Sequence, residues 1–353
     1  VIVLSVEEDR KRAKEKLKGI CGVYRICDGD PNRLCQGQSY GRKLGLGGVG
    51  SGASFTNNVL ALKKINLHMK TIEKDFEVNT ETTFLGNKIK LPVMAASVSG
   101  VNSFGGDDVI TEKELCRSVV LGSKEAGTIG FRGDTYTYSM ENTYGLDAIA
   151  EAKGWGVKIC KPRKQEVIIE LFKRAEKINA LAVGVDVDGC GSVIMAKHNA
   201  HVYKKSPEDL KELVKATKLP FIAKGIMGVS DAKVAFEAGA KAIVVSNHGG
   251  RVCDHTPGTV DVLHKIVEAV GGKGAILVDG GIRTGYDVLK VLALGADGAL
   301  MGRDVIRAAV GGGINGVTRL MNHIQSSLKK AMKITGCETI KDITKEIVIS
   351  GKK

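Results

Sequence analysis

Short apolar runs recur along the chain from about residue 90 onward, at 90–96, 126–131, 155–160, 181–187, 220–224, 241–246, 275–279 and 297–301. Each is apolar throughout, with no alternation of polar residues. That is the pattern of parallel strands covered on both faces. Between them lie segments with helical periodicity, such as K-Q-E-V-I-I-E-L-F-K-R-A-E-K-I, S-D-A-K-V-A-F-E-A-G-A and T-G-Y-D-V-L-K-V-L-A-L-G-A. The plainest start is Ser206-Pro207-Glu208-Asp209, a serine N-cap with proline at the first helical position and acids in the first turn. Eight strand-then-helix units predict an α/β chain folded as a (β/α)8 TIM barrel. A doubly wound sheet is the structural alternative, and it accounts less well for the anion-binding pattern at the end of the series.

The first part of the chain reads differently. Residues 5–19 predict a polar helix capped by Ser5 and stopped by Gly19. A loop carrying Cys21, Cys27 and Cys35 follows, then the segment G-R-K-L-G-L-G-G-V-G-S-G from Gly41 to Gly52, expected to form a lid or pocket wall. We therefore expect an N-terminal extension over 1–55, helical and then rich in Cys and Gly, and a barrel over 56–353. The three cysteines lack C-x-x-C pairs and an obvious fourth ligand. They read as a reduced or redox-active loop, and no metal is expected.

Composition refines this picture in three places. With 43% hydrophobic and 26% charged residues the chain can bury an ordinary core, and 45 glycines against 5% aromatics favour many tight βα turns. A formal net charge of +13 permits nucleic-acid binding, but the lysines are dispersed and rarely neighbour aromatics, so the expectation is no nucleic acid and a solvated basic surface, with attraction of small anionic ligands as the alternative. No apolar run is long enough to span a bilayer and no secretion signal is visible, so no membrane association and a cytoplasmic location are the default expectations.

In a barrel of this kind chemistry collects at the C-terminal ends of the strands. Those ends carry Asp186 after strand four, Lys224 on five, Ser246-Asn247-His248 after six, Asp279-Gly280-Gly281-Ile282-Arg283 after seven, and Gly302-Arg303 after eight. Two glycine-bearing loops, each with an arginine, on the last two strands suit a phosphate. His248 and Arg251 flank Gly249 and Gly250, placing a near-neutral base beside an anion clamp.

These residues carry a resemblance. S-N-H-G-G-R-x-x-D, V-D-G-G-I-R-T-G-Y-D-V-L-K-V-L-A-L-G-A and M-G-R resemble the FMN-dependent 2-hydroxy-acid oxidase and dehydrogenase family, which includes glycolate oxidase and lactate oxidase. The likeness is close over about 220–310 and looser from about 50 to 187. It implies FMN across the barrel mouth, with its phosphate on Gly281, Arg283, Gly302 and Arg303 and its ribityl chain near Asp279. Lys224 would face the flavin's N1 and C2 carbonyl, backbone from Ser97 through Val98 to Ser99 would back the ring, and Ser246 would join the cofactor set. His248 would take the substrate's hydroxyl proton, Asp186 would steady the imidazolium, and Arg251 would hold the carboxylate of a small-molecule substrate. The resemblance also suggests a homotetramer or larger.

The chain departs from the family in its recognition residues. Gly48 stands where a tyrosine is expected, Gly156-Val157-Lys158 where the pattern is Q-L-Y, and Val187–Val193 where T-P and an arginine pair follow strand four. Lys158 is then the candidate for the lost positive charge. The leading expectation is oxidation of a 2-hydroxy acid or related carboxylate by hydride transfer to the flavin. Two others stay open: a flavin-dependent isomerase similar to the type 2 isopentenyl diphosphate isomerase, and a non-catalytic flavoprotein sensing redox state through its N-terminal cysteines.

Overall fold

The structure is a computed structural model that describes residues 5–18, 45–136 and 143–350. Eight parallel strands form its centre: β1 Val93–Ala95, β2 Phe131–Arg132, β3 Val157–Cys160, β4 Ala182–Asp186, β5 Phe221–Ile226, β6 Ala242–Val245, β7 Ala275–Val278 and β8 Gly298–Met301. Pairing runs in sequence order from β2 to β8, and β8 returns to β1. A single parallel bridge between Ala95 and Gly130 brings β1 against the start of β2. The sheet is therefore a nearly closed α/β barrel with helices Val6–Lys16 (α1) and Ala53–Lys63 (α2) before it, as the rhythm of apolar runs predicts.

Strands buried on both faces need apolar residues on both, and the two layers divide by alternation. In β6, Ala242 and Val244 point into the barrel with Val157, Ile159, Ile222, Leu277 and Leu300. Ile243 and Val245 point outward into the larger layer beneath the helices. A tight hairpin, Thr82–Phe84 with Asn87–Ile89, adds Phe84 and Ile89 to the interior layer.

Helices start where side chains can satisfy their orphan N–H groups. The helix Pro207–Lys215 is capped by Ser206, whose hydroxyl accepts from Asp209 N–H while the Asp209 carboxylate accepts from Ser206 N–H. Thr284 and Asp287 do the same for Gly285–Ala293. The N-terminal helix α1, Val6–Lys16, has its capping box at Ser5 and Glu8. It lies along the long final helix Arg303–Thr335, where the buried Asp9 carboxylate accepts two hydrogen bonds from Arg319. Gly311 lets the two helices touch, since a Cβ there would sit 2.0 Å from the Asp9 carbonyl oxygen.

The second helix, α2 Ala53–Lys63, runs straight through the expected boundary at residues 55–56 and packs on the helix Thr259–Val270. Extension and barrel are thus not separated at that point. Cys21, Cys27, Cys35 and the beginning of the Gly-rich segment fall outside the described residues. Among the described residues, no helix is long and apolar enough to cross a membrane.

Candidate active site

The C-terminal strand ends surround a cleft of about 1290 Å³ that opens to solvent. Ser97, Val98 and Ser99 after β1, Lys161 after β3, Lys224 on β5, His248 and Arg251 after β6, Asp279–Arg283 after β7 and Gly302–Arg303 after β8 all line it. Gly45 and Leu46 close one side, which makes the end of the Gly-rich segment a pocket wall.

His248 is the centre of the polar network. It adopts a left-handed backbone, φ +58°, followed by Gly249 at +63° and Gly250 at +75°. A non-glycine residue in this region costs about 1–2 kcal/mol. The turn aims the imidazole back over the barrel, and Ser246 Oγ accepts the His248 N–H at 3.0 Å. On the ring, Nδ1 lies 3.0 Å from Asp188 Oδ1, while Nε2 lies 3.3 Å from the Lys161 ammonium. A carboxylate facing Nδ1 and a cationic donor facing Nε2 select one tautomer, with the proton on Nδ1 and the lone pair on Nε2 toward the cleft. Burial holds the imidazole well below its usual pKa, reinforced by Lys161 and Lys224 and opposed only in part by Asp186 and Asp279.

Two carboxylates thus flank the histidine, and their roles differ from the expected ones. Asp186 does not contact Nδ1. Its Oδ2 accepts from Lys161 Nζ at 2.5 Å and stands 3.8 Å from Nε2. Asp188, two residues on, is the partner of Nδ1. The chain enters a short 3-10 turn at Val187–Gly191, which swings the Asp188 side chain over β5. Gly225 permits this: it sits at a register shift of β5 with φ +95°, and a Cβ there would come within 2.3 Å of Asp188 Cγ. Burial pushes the Asp188 carboxyl pKa up against the pull of Lys224 and Lys161. The repeated V-D-V-D was the available signal for this second carboxylate.

Lys224 is almost wholly buried, donating to Ser246 Oγ at 3.0 Å and lying 3.3 Å from Asp279 Oδ2. Burial opposes its charge, but Asp279, Asp188 and Asp186 together keep its pKa above the usual lysine value. Ser246 itself is fully buried and absent from the lining of the cleft. Its hydroxyl ties Lys224 to the His248 turn.

Lys158 also departs from expectation. Inward positions on β3 belong to Val157 and Ile159, so Lys158 points outward, donating to Gly133 O at 3.1 Å and lying 3.6 Å from Asp134. On the β3 side of the cleft the positive charge comes from Lys161 instead, which sequence reading missed because it lies just past the strand. Gly48, where a tyrosine was expected, sits in a tight site: a Cβ would meet Phe55 Cβ at 3.1 Å and Gly250 O at 3.2 Å, so a side chain there would need its neighbours to give way. Arg251 lines the cleft with its Nη1 on the carbonyls of Gly45 and Gly47. Arg303 donates to Leu46, Gly47 and Gly249 carbonyls and lies 4.3 Å over the Phe55 ring.

The anion-binding end of the cleft has the features a phosphorylated cofactor needs. Gly280 and Gly281 both hold positive φ, so the turn after β7 is built on backbone. A Cβ at Gly302 would meet nothing nearer than Val98 Cγ1 at 3.7 Å, so the protein's own packing does not require glycine there. The missing side chain leaves space at the N-terminus of the helical segment that begins at Arg303 and is broken by a kink at Gly313, a position where anions are favoured. Asp279 Oδ1 is buried without a hydrogen-bond partner among the described residues, aimed at the same wall.

The family model for FMN-dependent dehydrogenases matches residues 45–203 and 190–350. The chain belongs to the FMN-dependent dehydrogenase family. This flavoenzyme is 33% identical to a 2-hydroxyacid oxidase of Dictyostelium discoideum, over 84% of its own length and 82% of the relative's. It is 32% identical to a 4-hydroxymandelate oxidase of Amycolatopsis orientalis, over 83% and 89% of the two chains. Among solved structures, mandelate oxidase with benzoyl-formic acid superposes with a TM-score of 0.78 at 27% identity, covering 98% of each chain. The protein is an FMN-dependent oxidoreductase, and the resemblance to the 2-hydroxy-acid oxidase branch stands.

One expectation falls with these comparisons. Cytoplasmic location was a default, and two relatives from Arabidopsis thaliana, each 28% identical over 86% of this chain, are peroxisomal (S)-2-hydroxyacid oxidases. With peroxisomal members in the same family, the default carries no weight for this flavoenzyme.

Proposed function

We propose that this flavoenzyme oxidises a small 2-hydroxy acid to the 2-oxo acid, with His248 as the base. One observation carries the reading: the imidazole is held by Asp188 on Nδ1, with its Nε2 lone pair facing a cleft that Arg251 also lines. The relatives named above are oxidases of 2-hydroxy acids, which supports the same substrate class here.

The roles follow from the chemistry. FMN, when bound, accepts the α-hydride and with it both electrons. The residues that would hold it are Gly281, Arg283, Gly302 and Arg303 at the phosphate, Asp279 at the ribityl chain, Ser97–Ser99 behind the ring and Lys224 beside it. Lys224 supplies a buried fixed cation where negative charge develops on reduction. His248 Nε2 takes the hydroxyl proton as the carbonyl forms. The resulting imidazolium is stabilised by Asp188 on Nδ1 and by Asp186 beside Nε2. Arg251 orients the substrate carboxylate. We also propose a homotetramer or larger, as the family resemblance suggests; light scattering checks it, and a monomeric mass would reject it.

Anaerobic mixing of the yellow protein with a panel of 2-hydroxy acids tests the reaction. At least one acid is expected to bleach the flavin with stoichiometric release of its 2-oxo acid, and a panel with no such member rejects the proposal. The cofactor seat has a separate test. Gly302→Val is expected to fold normally and to weaken FMN binding by about 10- to 100-fold, as read by fluorescence titration. Unchanged affinity would move the phosphate elsewhere.

A further inference from the structure

Lys161 has no place in the expected catalytic set, yet it projects into the middle of it. Its ammonium lies 2.5 Å from Asp186 Oδ2 and 3.3 Å from the His248 nitrogen that must accept the substrate's proton. Its side chain is about one-tenth exposed, and the exposed part faces the cleft. We propose that Lys161 is a substrate-binding and specificity-determining residue, which grips the adjacent hydroxyl and carboxylate oxygens of a 2-hydroxy acid beside the base. This inference rests on the hydride-transfer reading above and names the group that replaces the missing recognition residues.

Three observations support it. A substrate hydroxyl bonded to His248 Nε2 must displace or share the Lys161 contact, so the ammonium is within reach of whatever binds there. The hydroxyl and carboxylate of a 2-hydroxy acid sit on neighbouring carbons, so one cation beside the base reaches both groups. Finally, among the described residues β3 itself offers no competing cation to the cleft, since it turns Lys158 outward onto Gly133 and Asp134.

The same position explains why the two aspartates do not simply protonate the histidine. His248 faces Asp186 and Asp188 at the end of β4, Lys161 after β3, Lys224 on β5 and Asp279 after β7, with Arg303 against the neighbouring Gly249. Asp186, Asp188 and His248 place their ligand atoms within 4.8 Å of one another, a spacing that would suit a metal ion. A tethered ammonium sits in this cluster already. It neutralises Asp186 and leaves the Nε2 lone pair free of a proton until the substrate brings one.

A purely structural ion pair with Asp186 would predict loss of stability and nothing more, so the test reads binding and proton affinity. Oxalate, a non-oxidisable mimic of adjacent oxygens on neighbouring carbons, is titrated calorimetrically into FMN-loaded protein, with Lys161→Met and Lys161→Arg beside the parent chain. Lys161→Met is expected to bind oxalate about 10- to 100-fold more weakly, and Lys161→Arg to recover most of the affinity. In anaerobic bleaching by the acid that works best, the acid limb of the rate in Lys161→Met is expected to move to higher pH, because Asp186 then acts on His248 unopposed. Should Lys161→Met unfold, Lys161→Gln replaces it in both measurements. A folded neutral variant with parental oxalate affinity and an unmoved acid limb overturns the inference. If no acid bleaches the parent, the hydride-transfer reading fails by itself, and the oxalate titration still decides Lys161.

Discussion

Replacing His248 with alanine is expected to slow anaerobic flavin bleaching by about 10²- to 10⁴-fold while the protein stays yellow. The reason is geometric. His248 Nε2 is a lone pair aimed into the cleft, whereas Asp186 and Asp188 face the imidazole and have no separate approach to a substrate hydroxyl. Cofactor binding relies on other loops, so colour and chemistry should come apart in this variant. Stopped-flow bleaching with FMN content measured in parallel checks both halves, and a variant that bleaches at the parental rate removes His248 from the mechanism. The pH profile carries the same assignment. Burial and two ammonium groups favour the neutral ring, so the base form persists below the ordinary imidazole value of 6.5. As pH falls the ring gains a proton and activity is lost, and that acid limb should lie below pH 6.5 in the parent enzyme. An acid limb above 6.5 would mean that the flanking carboxylates win.

Lys224→Met should be the most damaging change to the cofactor seat. Lys224 Nζ is a buried charge paired with Asp279 at 3.3 Å, and Asp279 Oδ1 already lacks a partner. Removing the lysine strands a carboxylate in a dry wall, which costs about 3–5 kcal/mol. It also removes the fixed cation proposed to stand beside the flavin. Urea unfolding and FMN titration separate the two losses. The double variant Lys224→Met with Asp279→Leu is expected to regain much of the stability, because the orphaned charge is gone, yet to remain deficient in FMN. If the double variant were as yellow as the parent, Lys224 would be a structural residue only.

What the sequence alone determined is the scaffold and the identity of its chemistry. Continuous apolar runs such as Ala242–Val245 can only be strands covered on both faces, and eight of them at regular spacing leave few architectures. Strand ends are partly readable, because polar residues at or just past the end of such a run lie near the barrel mouth; Lys224, His248, Asp279 and Arg303 all line the cleft. The family motif around S-N-H-G-G-R added the flavin.

Only the tertiary structure decided which neighbouring residue does each job. Side chains on a strand alternate between faces, so a shift of one residue moves a charge from cleft to exterior. That is why Lys158, named from the motif alignment, turned outward, while Lys161 beyond the strand end turned in. Asp186 and Asp188 differ for a related reason. The 3-10 turn after β4 and the glycine at 225 carry Asp188 onto Nδ1 across a distance in sequence of 60 residues. Gly48 tells a related lesson, since Gly250 and Phe55 approach closely where the motif expects a tyrosine. Periodicity fixes the layer to which a residue belongs; the direction of a side chain at a strand end depends on turns and contacts that are remote in sequence.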